Sequence, residues 1–381
     1  MRLRNIANKL ILVAFMLVII IPIATTRLSG GEVSEQEKRV LAEIPSTENM
    51  VPRLLNREFM QDTENWLNDH IGKRNGCRAA YAMIMYHGLN LSTSKDVVLG
   101  QEGYCYFTKN NNLEIAKGSY KLSKEDLQLM KSQYRDAKDY YTDKGIKFYL
   151  LMTPSKVSVY PEYLPFESNA DALKPAEIIE NEIGDSEQVI NVKEALISNK
   201  GKGRLFQLTD SHWNQRGTYQ AYTEILKKIN PNEMPIKESY EVSARTGDLF
   251  QELGLIKEFD KEEVPAFQYE WGSRKLKTKE IDSELIDALK KEFEAQKTAY
   301  IEPEIFVNED AHCGTLVIYG DSMMASYINI PNYLCEHYNK VVVLRLRKIS
   351  KTIDNMLQPD TVMFSSTERL LNPVLTQFAP N

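Results

Sequence analysis

The chain of 381 residues predicts a parallel, doubly wound α/β sheet. Two observations carry this expectation. Short apolar strands alternate with helical stretches along most of the sequence, and one segment shows helix, glycine and buried strand in direct succession. A composition 43% hydrophobic and 26% charged is that of a globular body, so disorder is not the default.

At the N-terminus, Arg2, Arg4 and Lys9 precede an apolar run from Leu10 to Ala24 that only Pro22 interrupts, before the polar "TTRLSGGEVSEQEKR". Residues 1–27 therefore read as a targeting segment outside the fold. The run is short for a spanning helix, but "PIATT" is a poor cleavage site. This favours a retained transmembrane anchor over a cleaved signal peptide. The basic flank keeps the N-terminus cytoplasmic and sends the body outside, at the cell membrane or, after cleavage, secreted. Residues 28–49, including "SEQEKRVLAEIP", read as a polar linker, and the α/β domain as 50–381.

From Met50 to Leu89, Leu54, Leu55, Phe59, Trp66, Leu67 and Ile71 fall at near-helical spacing with Gly72 and Gly76 as breaks, predicting two helices. "VVLGQEGYCYF" predicts a hairpin turning at Gln101 to Gly103. Ser123 to Asp126 resembles a capping box with Asp in place of Glu or Gln. Leu127, Met130, Tyr134, Ala137 and Tyr141 then share a helical face, and Gly145 sits where a terminating glycine belongs. "IKFYLLM" (146–152) comes next as a buried strand that Pro154 stops.

The pattern recurs with "DALKPAEIIENEI" as a helix and "QVINV" as a strand. "TLVIYG" (315–320), "KVVVLRL" (340–346) and "TVMF" (361–364) read as further strands, and "ASYINIPNYLCEHY" as a helix interrupted at Pro331. Residues 231–310 break the rhythm with charged, proline-containing sequence and one helix, "DSELIDALKKEFEAQ", and read as an insertion or side lobe. Ligands of doubly wound sheets bind beyond the carboxyl ends of the strands.

The formal charge of −6, from 47 basic and 53 acidic residues, offers no strong field for nucleic acid, and no basic aromatic motif stands out. Cys77, Cys105, Cys313 and Cys335 have no zinc-like spacing; buried thiols or a structural bridge both fit, with connectivity open.

"LVIYGDSMM" places Ser322 just past a buried strand, where a tight turn lifts its oxygen above the sheet edge. The first free N–H groups of a following helix, with its dipole, would stabilise an oxyanion there. A serine nucleophile needs a base. In "LTDSHWNQRG", an extended backbone after Leu208 would point side chains two apart the same way. Asp210 then reaches one ring nitrogen of His212 and leaves the other facing Ser322. Against this, Gly-Asp-Ser is a common turn, Asp321 or Ser322 can cap a helix, and His212 can be a satisfied surface histidine. The co-occurrence of both motifs, each after an apolar segment, favours chemistry.

In order and spacing, "EKRVLAEIP", "NWLNDHIGKRNG", "VVLGQEGYCYF", "YLLMTPSKVSVYPEYLP", "TDSHWNQRGTYQAY", "YGDSMM" and "PDTVMFSSTERLL" resemble the DHHW-motif proteins and the SGNH-hydrolase-like domain of the bacterial alginate O-acetyltransferases. The resemblance implies an SGNH-hydrolase-like fold, with Ser322 as nucleophile, His212 as general base and Asp210 as its orienting carboxylate. It also implies acetyl transfer on an exported polysaccharide, often beside a membrane-bound acyltransferase; no cofactor is expected. Ser211 stands where the family carries threonine or histidine, and Met323 where relatives often have phenylalanine. The acid–base pair precedes the serine, unlike general SGNH esterases, and of the oxyanion donors only the Ser322 N–H is assignable.

Lys156 and Tyr160 follow a strand end and are candidates to line the site. Arg345 is a candidate for binding an anionic sugar or helping the oxyanion, and Trp213 and Trp271 for stacking on sugar rings. His70 with Arg74 more readily fixes a loop. His87, His312 and His337 show no partner pattern and count as structural or surface residues. Catalytic zinc usually takes three protein ligands, and no HxH, HExxH or cysteine pair accompanies Asp210 and His212, so no metal is expected. The leading expectation is an extracytoplasmic O-acetyltransferase or esterase, and its rival a non-catalytic polysaccharide-binding or envelope scaffold protein on the same fold.

Overall fold

The computed structural model describes residues 2–26, 28–34, 39–169, 172–256 and 259–380. Linker residues 35–38 and Asp171 of the expected helix lie outside them. The chain forms two compact units, residues 1–90 and 91–381.

In the first unit the apolar run is helical over Arg2–Ala24. Among the described residues, no helix is long and apolar enough to cross a membrane. Where two helices are expected after Met50 there are three, Met50–Leu55, Glu58–His70 and Arg74–Met83, the last continuing as a wider turn over Ile84–Gly88. Gly76 lies inside the third helix rather than breaking it. His70 is buried, with Nδ1 2.9 Å from the Trp66 carbonyl and its ring stacked on Trp66.

The second unit is built on one seven-stranded sheet. Its strands are β1 (Lys147–Thr153), β2 (Val189–Asn191), β3 (Arg274–Lys275), β4 (Glu304–Val307), β5 (Thr315–Tyr319), β6 (Lys340–Leu344) and β7 (Thr361–Thr367). They lie in the order β2-β1-β7-β5-β6-β4-β3. The five strands from β2 to β6 are parallel as expected, and β4 is antiparallel to both of its neighbours. Residues 231–310 are therefore more than a side lobe, because β3 and β4 extend the sheet. Part of that segment does stand off it, as an antiparallel hairpin of Tyr240–Arg245 with Glu262–Phe267.

The continuous apolar strands are explained by burial on both faces. On one face Tyr149, Leu151, Leu316, Ile318, Val341 and Val343 pack with helix Gln215–Ile229. On the other, Phe148, Leu150, Val317, Tyr319, Val342 and Leu344 pack with helices Lys124–Thr142 and Ser283–Ala295. Ser123 caps the first of these by accepting the Asp126 N–H at 2.9 Å. Two prolines begin helices rather than interrupting them. The "DALKPAEIIENEI" helix starts at Pro175 and the helix after Ser322 at Ile330, with Pro331 in its first turn, where a missing N–H costs nothing. The four cysteines are free thiols.

Register decides where a ligand can sit. Tyr319 pairs with Leu344 on one side and Phe364 on the other. β5 and β6 thus end together while β7 runs on to Thr367, so the residues just beyond β5 and β6 lie beside the last residues of β7 at one rim.

Candidate active site

Ser322 leaves the end of β5 through Gly320 and Asp321. The turn is held by Asp321, whose Oδ1 accepts the Met323 N–H at 2.9 Å and whose Oδ2 accepts the Thr367 N–H at 2.7 Å, tying it to the end of β7. The serine begins a single 3-10 turn, Ser322–Met324, and not the expected helix. Among the described residues, no α-helix therefore begins at the serine to aim its dipole there. The Met323 N–H is already taken, and the Ser322 N–H has no acceptor among the described residues.

The acid–base stretch is a bend, not the extended strand expected after Leu208. An isolated bridge between Phe206 and Trp213 closes it, and Asn214 caps helix Gln215–Ile229 by accepting the Arg216 and Gly217 N–H groups at 3.0 Å each. Gly217 must lack a side chain, since a Cβ there would stand 2.1 Å from the Leu205 carbonyl oxygen. Inside the bend, Asp210 Oδ1 accepts the His212 backbone N–H at 2.9 Å and lies 2.7 Å from its Nδ1. His212 Nε2 is 2.7 Å from Ser322 Oγ. An unbroken hydrogen-bonded chain joins Asp210, His212 and Ser322, the last two 110 residues apart in sequence.

The sequence reading missed a second carboxylate. Asp248 Oδ2 lies 3.4 Å from His212 Nδ1, and its N–H donates to Asp210 Oδ2 at 3.0 Å. Ser211 holds Asp248 in place: its N–H and Oγ both donate to that carboxylate at 2.6 Å. Gly247 allows this approach, because a Cβ there would stand 2.1 Å from the Thr209 oxygen. Glu262, on the stand-off hairpin, accepts the Leu208 and Thr209 N–H groups at 2.7 and 2.8 Å. The segment read as an insertion therefore supports the acid–base bend.

Electrostatics follow from this packing. Burial alone would lower the His212 pKa, but hydrogen bonds from the imidazole to Asp210 and Asp248, with their charges, push it up to about 9. Burial likewise opposes ionisation of Asp248, yet the hydrogen bonds from His212 and Ser211 hold it well below the usual carboxylate range. Tyr327 stands edge-on to His212, ring centroids 5.7 Å apart. Burial, then the charges of Asp210 and Asp248, keep its phenol protonated well above the usual range.

Four further expected residues separate. Arg345, just past β6, lines with Asp321 and Ser322 a cavity of about 360 Å³. Its Nη1 is buried there with no hydrogen-bond partner among the described residues, as are the Ser365 and Ser366 hydroxyls on the same wall. The other three do not line this cavity. Trp213 is fully buried and its Nε1 donates to the Met323 carbonyl at 3.1 Å, clamping the serine turn to the acid–base bend. Lys156 is buried with Nζ donating to the Cys105 and Leu208 carbonyls at 2.8 and 2.9 Å. Burial pushes its pKa down to about 8, against the pull of Cys105, Asp210 and other acids around it. Tyr160 is buried, its hydroxyl accepting the Leu205 N–H at 3.0 Å. Lys156 and Tyr160 follow the end of β1 and Trp213 closes the bridge to Phe206, but all three side chains turn into the fold and brace the bend.

Ligand atoms of Asp210, His212 and Asp248 lie within 4.8 Å of one another and could hold a cation. A cation there would occupy His212 Nδ1 in place of the proton that Asp210 accepts.

The sequence matches the family model "SGNH hydrolase-like domain, acetyltransferase AlgX" over residues 97–300, a span that includes Asp210, His212 and Asp248 and stops short of Ser322. Among solved structures the chain is similar to Bacillus cereus PatB1 with a sulfonyl adduct, at 16% identity and TM-score 0.51, covering 76% of this chain and 100% of that one. It is also similar to the O-acetyltransferase domain of Pseudomonas putida AlgJ, at 16% identity and TM-score 0.46, covering 72% and 92%. A DHHW family protein from Eubacterium siraeum matches at 12% identity and TM-score 0.46, covering 72% and 94%. No curated protein matches the sequence.

Proposed function

The chain belongs to the AlgX acetyltransferase family of SGNH hydrolase-like domains, and from that premise we propose that it transfers or hydrolyses O-acetyl groups on exported or cell-surface polysaccharide. The observation that carries this reading is the continuous Asp210, His212, Ser322 hydrogen-bond chain at the carboxyl rim of the sheet.

His212 Nε2 takes the Ser322 Oγ proton as Oγ bonds to the acetyl carbonyl carbon. The Ser322 N–H meets the developing oxyanion. His212 then returns the proton to the departing group of the acyl donor, leaving acetyl-Ser322. An acceptor hydroxyl or water attacks next, gives its proton to His212, and Oγ leaves with that proton. Asp210 keeps Nδ1 protonated throughout. The Arg345 guanidinium in the adjoining cavity holds an anionic or hydroxyl-rich part of the substrate.

The body works outside the cytoplasm, anchored through the apolar N-terminal helix or secreted after its removal. A membrane-bound acyltransferase is its donor partner. The test is acetyl release from an ester substrate, with and without an oligosaccharide acceptor. Expected is acetate, or O-acetylated oligosaccharide when the acceptor is present. Release no faster than that of Ser322→Ala under either condition would discard the reading.

The elevated His212 pKa sets a pH dependence. Only the neutral imidazole is a base, and with a pKa of about 9 roughly one molecule in a hundred is neutral at pH 7. Turnover is expected to climb with pH and level off above about 9. Asp248→Asn removes one of the two charges that raise the pKa, so its rising limb should move to lower pH. A limb that stays in place would separate Asp248 from the relay. Because the folded pKa lies above the ordinary value of 6.5, the stabilisation from this pairing is full below 6.5 and lost as pH rises through about 9.

A further inference from the structure

At the amino end of the sheet, opposite Ser322, the loops that lead into β5 and β6 bring together two histidines and a cysteine that the relay does not use. Glu233, on the turn after helix Gln215–Ile229, accepts at Oε1 from His312 Nε2 at 2.9 Å and at Oε2 from His337 Nδ1 at 3.0 Å. The second contact is fixed from behind. Tyr222 OH accepts the Ile236 N–H at 3.1 Å, which leaves its own proton for His337 Nε2, 2.6 Å away. The His337 proton therefore sits on Nδ1 and goes to Glu233.

The His337 carbonyl also accepts the N–H of Cys313 at 3.0 Å and of His312 at 3.3 Å, so one buried residue positions the carboxylate and the loop facing it. Cys313 is a free, partly exposed thiol. One ligand atom each from Glu233, His312 and Cys313 lie within 4.8 Å of one another.

We propose that Glu233, His312 and Cys313 form a binding site for a borderline-soft divalent transition cation, with Zn²⁺ as the type. One thiolate, one imidazole and one carboxylate suit that class, whereas Mg²⁺ and Ca²⁺ prefer all-oxygen sites. Water completes the coordination on the exposed side. His337, backed by Tyr222, is the outer partner that orients the carboxylate.

On binding, the His312 ring proton moves from Nε2 to Nδ1, Nε2 takes the metal, and the Cys313 thiol proton passes to solvent. The site pins the turn after helix Gln215–Ile229 to the starts of β5 and β6, away from the catalytic rim.

The test uses the full chain, tag-free and stripped with a chelator, titrated with Zn²⁺ against a chromogenic chelator and separately with Co²⁺. Expected is one equivalent bound, with a thiolate-to-Co²⁺ absorption band. The band should vanish in Cys313→Ser, and Zn²⁺ affinity should fall about tenfold or more in His312→Ala. Both variants should keep wild-type ester turnover; the His312 side chain is 71% exposed, so its replacement leaves the fold intact. Asp210→Asn should bind Zn²⁺ as the wild type does. No saturable Zn²⁺ binding by the wild type, or binding that survives both Cys313→Ser and His312→Ala, would overturn the proposal. Neither outcome depends on whether the esterase reading holds.

Discussion

Ser322→Ala is expected to lower acetyl-ester turnover on the order of a thousandfold or more, and His212→Ala to do nearly the same. The two groups act as one unit. Oγ is a weak nucleophile until Nε2, 2.7 Å away, removes its proton, and Nε2 has no other proton to take at the start of the reaction. The double variant should therefore be scarcely worse than either single one, whereas independent contributions would multiply. A serine-reactive sulfonyl fluoride gives a second readout. It should label Ser322 in the wild type, slowly or not at all in His212→Ala, and nowhere on the rim in Ser322→Ala. A folded wild-type protein that resists labelling across the pH range, and whose turnover is indifferent to either substitution, would point instead to the non-catalytic polysaccharide-binding or scaffold role.

Trp213→Ala should be the most damaging change to stability around the site, by about 3–5 kcal/mol. The indole is completely buried, and its removal leaves a large void beneath the rim. It also strands the Met323 carbonyl, which accepts the Nε1 hydrogen at 3.1 Å. That bond joins the two loops whose spacing sets the His212 to Ser322 distance, so turnover should fall as well. Trp213→Phe separates the effects. It retains most of the apolar volume, costs about 1 kcal/mol through the lost hydrogen bond, and should still lower turnover because the clamp is gone. Chemical denaturation read beside ester turnover checks both. A Trp213→Phe enzyme with unchanged kcat would show that packing alone sets the geometry.

Much of the fold was legible because its signals are local. The strand at 147–153 is apolar on both sides, Ser123 and Gly145 mark the ends of the preceding helix region, and the hairpin turns at Gln101 to Gly103 as its residues suggest. Local reading failed where a residue's role depends on what precedes it in space. Pro331 reads as an interruption but begins a helix, because only the tertiary path shows that the chain turns through Ser326–Ile328 first. Residues 231–310 read as an addition because their charge hides β3 and β4, short strands at the sheet edge that have less apolar surface to bury. In the site, Asp210, His212 and Ser322 stood out since each sits in a compact motif. Asp248 carries no such mark. It reaches His212 only because Gly247 lets two loops touch.

From sequence alone came an α/β body behind an apolar N-terminal run, and two short motifs carrying a serine and an Asp-His pair. These are decided by periodicity and turn chemistry among near neighbours, which any stretch of chain carries with it. Only the tertiary structure decided that the motifs meet at one rim, that Asp248 reaches His212, and that Trp213, Lys156 and Tyr160 brace the site instead of lining it. The direction of a side chain after a strand end is set by packing against residues dozens to hundreds of positions away. That information exists only once the sheet has closed around its core.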